Sequence, residues 1–111
     1  MRFSITGLDD SSEDLDGLLP VKGSILRQIP GPDRPDYHLA AVDSPFEWKK
    51  EKKKISHIIL AGYLEDTVVS PTMRGMGVGI AYVLDDAVLS DATLDFKKCF
   101  YAVIGFVDGS P

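Results

Sequence analysis

From residue 37 to residue 64 this chain alternates with a period of two on both sides of a lysine run. Tyr37, Leu39 and Ala41 take turns with His38, Ala40 and Val42, and Phe46 and Trp48 resume the pattern after Ser44-Pro45. That period belongs to a strand, not to a helix. The interruption at Ser44-Pro45 reads as a bulge or bend in one long strand. Residues 49–54 hold five lysines and one glutamate, which suits the solvated tip of a hairpin. The returning strand, 55–64, puts Ile55, His57, Ile59, Ala61 and Tyr63 on one face. Ser56, Ile58, Leu60, Gly62 and Leu64 take the other. Apolar residues on both faces imply a central strand or a barrel wall.

The rest of the chain extends this reading. Ser4-Ile5-Thr6 is a short first strand, and residues 9–17 form a polar loop or a single helical turn. Residues 21–29 alternate loosely, with Gly23 marking a bulge or a close backbone approach. Pro30-Gly31-Pro32-Asp33-Arg34-Pro35 lacks three backbone donors, so it is a turn. Residues 70–79 are a glycine-rich turn region. After them, Val78, Ile80, Tyr82 and Leu84 fit a strand, while Ile80, Val83, Leu84, Ala87 and Val88 fit a helix face. A strand through Val83 and a helical turn at 86–89 is the better reading, because Gly77 and Gly79 weaken a helix start. Residues 99–107 are the last strand. The expected fold is mostly β: a small antiparallel barrel or sandwich of about six strands with a short helical turn. Its 111 residues make one domain.

No run of about 18 apolar residues exists to span a membrane. Residues 1–7 lack the apolar core of a signal peptide, so a soluble, cytoplasmic protein is expected. Cys99 is the one cysteine, which excludes an internal disulfide and a cysteine-rich zinc site; it reads as a small core residue. His38 and His57 fall in strands and read as ordinary strand residues rather than metal ligands. No serine sits in a nucleophile elbow and no Walker loop follows the glycines. The carboxylate pairs Asp85-Asp86 and Glu65-Asp66 read as solvated turn residues. No cofactor is expected and no metal.

The net charge of −5 opposes general nucleic-acid binding and favours basic partners. It is unevenly spread, since residues 9–16 carry five acids and no base. At the hairpin tip, Phe46 and Trp48 stand beside Lys49, Lys50, Lys52 and Lys53. These are the candidate partner-binding residues. They would also suit a single strand of nucleic acid, through stacking and phosphate contacts. The alternative is a lysine-protected hairpin that discourages edge association.

A second alternative rests on Val69-Ser70-Pro71-Thr72-Met73-Arg74-Gly75-Met76-Gly77-Val78-Gly79. This stretch resembles the pyrophosphate loop of GNAT-type N-acetyltransferases, and Phe100-Tyr101 with Gly105-Phe106 resembles a late element of that family. The resemblance implies an α/β fold with a helix after Gly79. It implies acetyl-CoA phosphates held by Arg74, Gly75, Gly77 and Gly79, and Tyr101 as general acid. Against it stand the short interval between Gly79 and Phe100 and the prolines at 30–35. The primary expectation is a non-enzymatic binding module whose partner is another protein.

Overall fold

The computed structural model describes residues 1–64 and 68–111. It contains six strands: β1 (Arg2–Leu8), β2 (Val21–Ile29), β3 (Tyr37–Trp48), β4 (Lys53–Gly62), β5 (Met76–Val83) and β6 (Cys99–Ser110). Each pairs antiparallel with its neighbour in sequence, and β1 closes on β6, so the sheet is a closed up-and-down barrel rather than a sandwich. Closure leaves no free strand edge. Three short 3-10 turns, Asp16–Leu18, Asp86–Ser90 and Phe96–Lys98, lie in the connections.

Alternation decides which side chains fill the barrel. Phe3, Ile5, Val21, Ala40, Val42, Ile58, Leu60, Val78, Ile80, Val103 and Val107 are buried inside it. A narrow barrel must accommodate these groups tightly, and glycine relieves the crowding at Gly23. A Cβ there would overlap the Ala41 carbonyl oxygen and come within 2.7 Å of the Phe3 ring. Leu15 and Met73, from the connecting loops, join the same core.

A second core lies on the outer face. Ile29, Leu39, Ile59 and Val83 pack against Val88 and Leu94 of the segment between β5 and β6. Polar groups fix that segment. The Arg27 guanidinium donates to the Asp91 carbonyl at 2.6 Å, and the Leu94 N–H donates to the Pro30 carbonyl at 2.8 Å. The segment therefore covers Ile29, Leu39, Ile59 and Val83 on the outer sheet face.

Several expectations are corrected in detail. The first strand runs from Arg2 to Leu8, longer than Ser4-Ile5-Thr6. Lys53 and Lys54 belong to β4, opposite Trp48 and Glu47, and the tip is only residues 49–52. Tyr63 and Leu64 lie beyond the end of β4. A register shift between Ala41 and Phe46 accommodates Ser44-Pro45 and turns Ile55 inward. Ile55 thus joins Ile58 and Leu60 in the barrel core rather than sharing a face with Ile59. Asp108 and Gly109 continue β6 instead of ending it. Glu65-Asp66 lie outside the described residues.

The stretch after the glycines is a strand. Val78, Ile80 and Tyr82 are fully buried on the inner face, and β5 pairs with β6 from Met76↔Val107 to Val83↔Cys99. Gly77, Gly79 and Ala81 consequently face outward. The expected helical turn follows as Asp86–Ser90, with the Asp85 carboxylate accepting from the Ala87 N–H at 2.9 Å.

Candidate functional site

The hairpin candidates are split between core and solvent. Phe46 and Trp48 are only 7% and 8% exposed. Trp48 stacks on Phe100 with ring centroids 4.5 Å apart, and Phe46 meets Tyr82 edge to face at 5.2 Å. Register is the reason: both rings alternate inward with Val42 and close that end of the barrel. Lys49, Lys50, Lys52 and Lys53 are exposed. Rings and lysines therefore do not form one surface, which corrects the expectation of base stacking beside phosphate contacts.

The loop of residues 9–19 seals this aromatic end. The Asp14 carboxylate accepts from the Lys49 backbone N–H at 2.8 Å and from the Tyr82 hydroxyl at 3.2 Å. Burial is the main influence on Tyr82 and pushes its pKa up, so the phenol stays protonated and donates. Beside the loop lies a cleft of about 630 Å³ containing Glu13, Asp14, Asp43 and Glu47 with Lys22 and Lys49. Two of its acids are already engaged, since Asp43 forms an ion pair with Arg2 and Asp14 holds the loop.

The acetyltransferase loop is also absent. Arg74 donates to the Met73 and Gly109 carbonyls at 2.6 and 2.8 Å, tying the turn to β6. The Gly75 N–H donates to the Asp108 carboxylate at 2.7 Å, and its φ of +55° suits glycine. Gly77 and Gly79 pair with Phe106 and Ile104. Without a helix start, these residues form no phosphate cradle. The α/β alternative, the acetyl-CoA site at Arg74, Gly75, Gly77 and Gly79, and Tyr101 as its acid are all corrected by this pairing.

The histidines sit three positions apart on adjacent strands, with His38 opposite Leu60 and His57 opposite Ala41. Among the described residues no cluster of three potential metal ligands occurs. Cys99 is half-buried, and burial raises its thiol pKa to about 11, which keeps it protonated.

Tyr101 acquires a different setting. A bulge between Ile80 and Ala81 in the β5–β6 register leaves it on the outer face, 60% exposed. Across β5 and β4 from it stands Tyr37, and Tyr63 follows the end of β4 at 61% exposure. Between these rings the floor is small: Gly79 and Ala81 from β5, Ala61 and Gly62 from β4. The Tyr101 ring leans over Gly79, where a Cβ would lie 3.3 Å from its Cε2. The result is a shallow groove with two adjoining recesses. One, of about 290 Å³, reaches Tyr63 and Arg34; the other, of about 220 Å³, reaches Phe96 and Cys99. Tyr37, Ile59, Ala81 and Tyr101 border both.

One wall of the groove is held firmly. Arg34 donates to both Asp36 oxygens at 2.5 and 2.6 Å and to the Gly62 carbonyl at 2.8 Å. Its guanidinium carbon lies 5.7 Å from the Tyr37 ring centre. Phe96 meets the same ring edge to face at 5.5 Å. The Tyr37 hydroxyl is 2.9 Å from one Asp33 oxygen and 3.0 Å from the other. Burial, helped by that carboxylate, raises its pKa to about 12. Sequence reasoning missed the groove. Its signal is the pair of small residues Gly79 and Ala81 on one face of β5, of which Gly79 falls in the stretch that the sequence assigns to a turn. Comparison with protein-family models, curated proteins and solved structures finds no match to this chain.

Proposed function

We propose that this protein is a non-enzymatic binding module that takes a segment of another protein in the tyrosine groove on its outer wall. The observation that carries the reading is the exposure of Tyr63 and Tyr101 over a floor of glycine and alanine. Natural surfaces scatter single apolar residues freely, but grouped aromatic rings around a recess favour contact with a ligand. Tyrosine suits that task because it offers a broad apolar face and a hydroxyl at little entropic cost. The barrel beneath is closed and the Tyr37 wall is braced, so the groove is largely preformed.

The test is an array of mixed-sequence 12-residue peptides probed with wild-type protein and with the Tyr63→Ala, Tyr101→Ala double variant. Both side chains are largely exposed, so the variant should keep its fold by circular dichroism. Retention of particular peptides by wild type alone is the expected result. Equal retention by both proteins, or none by either, contradicts a groove site.

A further inference from the structure

Resting on that reading, we infer that the groove's occupant is a proline-rich segment in polyproline II conformation carrying a basic residue at one end. The first argument is hydrogen bonding. The floor residues Ile59, Ala61, Gly79 and Ala81 lie in the β4–β5 ladder, in a barrel with no open edge. Their backbone groups are committed to the sheet, so an incoming strand finds no ladder to join. A peptide with ordinary amides would lose water from its N–H groups there without gaining backbone partners. Proline has no N–H to satisfy. Its carbonyls could accept from the exposed hydroxyls of Tyr63 and Tyr101, which are 61% and 60% exposed.

Shape supports the same class. The groove is made of two small adjoining recesses that share Tyr37, Ile59, Ala81 and Tyr101, and the Tyr101 ring overhangs Gly79 in one of them. A helix, about 10–12 Å across, needs a continuous trough. A polyproline II segment advances about 3.1 Å per residue and presents separate ridges, which suit two small adjoining recesses. It also arrives already ordered.

Charge fixes the basic end. Asp36 forms an ion pair with Arg34, whereas Asp33 accepts from the Tyr37 hydroxyl, feels Arg34 only at longer range and is in no ion pair among the described residues. Two carboxylates thus face one guanidinium, and Asp33 stands beside Tyr37, which borders both recesses. An arginine or lysine in the ligand would meet Asp33.

The test titrates isotope-labelled protein with an octaproline peptide ending in arginine, following amide resonances. Binding should shift Gly62, Gly79 and Ala81, and Tyr101→Ala should weaken it about tenfold or more. Asp33→Asn, or a peptide ending in glutamate, should weaken it about two- to fivefold, with the difference fading in high salt. A glycine-serine peptide ending in arginine should not bind. Equal binding by that peptide, or groove shifts with cellohexaose but not with octaproline, overturns the assignment. Silence of the octaproline peptide while array peptides still bind in a Tyr101-dependent way overturns the proline assignment alone. Silence of both overturns the groove reading itself.

Discussion

The Tyr101 ring leans over Gly79 so closely that a Cβ on Gly79 would lie 3.3 Å from the ring's Cε2. Tyr101 borders both recesses of the outer groove, and Gly79 borders the one that reaches Tyr63. Gly79→Val should push the ring aside and fill the floor. Peptide affinity should fall about tenfold or more if the recesses carry the binding. Stability should change little, because the added side chain points outward and valine suits a strand. Peptide titration together with urea unfolding separates the two effects.

Inside the barrel the same change has the opposite outcome. Gly23 faces the Phe3 ring and the Ala41 carbonyl, and neither can retreat in a closed sheet. Gly23→Ala should cost about 3 kcal/mol through overpacking, read as a lower urea midpoint. An unchanged midpoint would show that the barrel interior has room to spare.

Trp48 gives an optical report on the aromatic end. It stacks on Phe100 and is 8% exposed. Its emission should be blue-shifted in the folded protein, move red on unfolding, and resist quenching by a decathymidine strand at low salt. Strong quenching would restore the lysine hairpin as a nucleic-acid site. Trp48→Ala should cost about 3–5 kcal/mol.

His38 supplies a pH dependence. Its Nδ1 is buried without a partner among the described residues. Burial holds its pKa below the ordinary value, outweighing the opposite influence of Asp36. The unfolded chain therefore binds the proton more readily than the folded one. Stability is complete above the unfolded pKa, about 6.5, and is lost as pH falls below it toward the folded pKa. The melting temperature should drop on going from about pH 7 to about pH 5, and His38→Gln should flatten that slope. Asp36 and Asp43, whose pKa values are lowered mainly by hydrogen bonds to Arg34 and Arg2, act in a separate window. The stability they lend is lost only as pH falls below the unfolded carboxylate pKa, near 4.

Much of the barrel was legible because its strands announce themselves by alternation. The β3–β4 hairpin follows from the alternation on both sides of the lysines, and the strand character of 78–83 from Val78, Ile80 and Tyr82. Ile55 was misplaced because a register shift at Ser44-Pro45 breaks the period locally, and composition does not count the extra residues. The groove was illegible for a different reason. Tyr37, Tyr63 and Tyr101 come together only when β3, β4, β5 and β6 stand side by side. Tyr101 turns outward only because of a bulge. Trp48 shows the converse: beside lysines in sequence, it belongs to the core.

The four tyrosines permit a direct measurement. In protein labelled with 3-fluorotyrosine, Tyr37, Tyr63 and Tyr101 report on the groove, and fully buried Tyr82 serves as an internal reference. Titration with a pool of mixed-sequence 12-residue peptides should shift or broaden the three groove resonances and leave Tyr82 in place. Peptide binding that moves Tyr82 alone, or that leaves all four signals unchanged, would contradict binding at the groove.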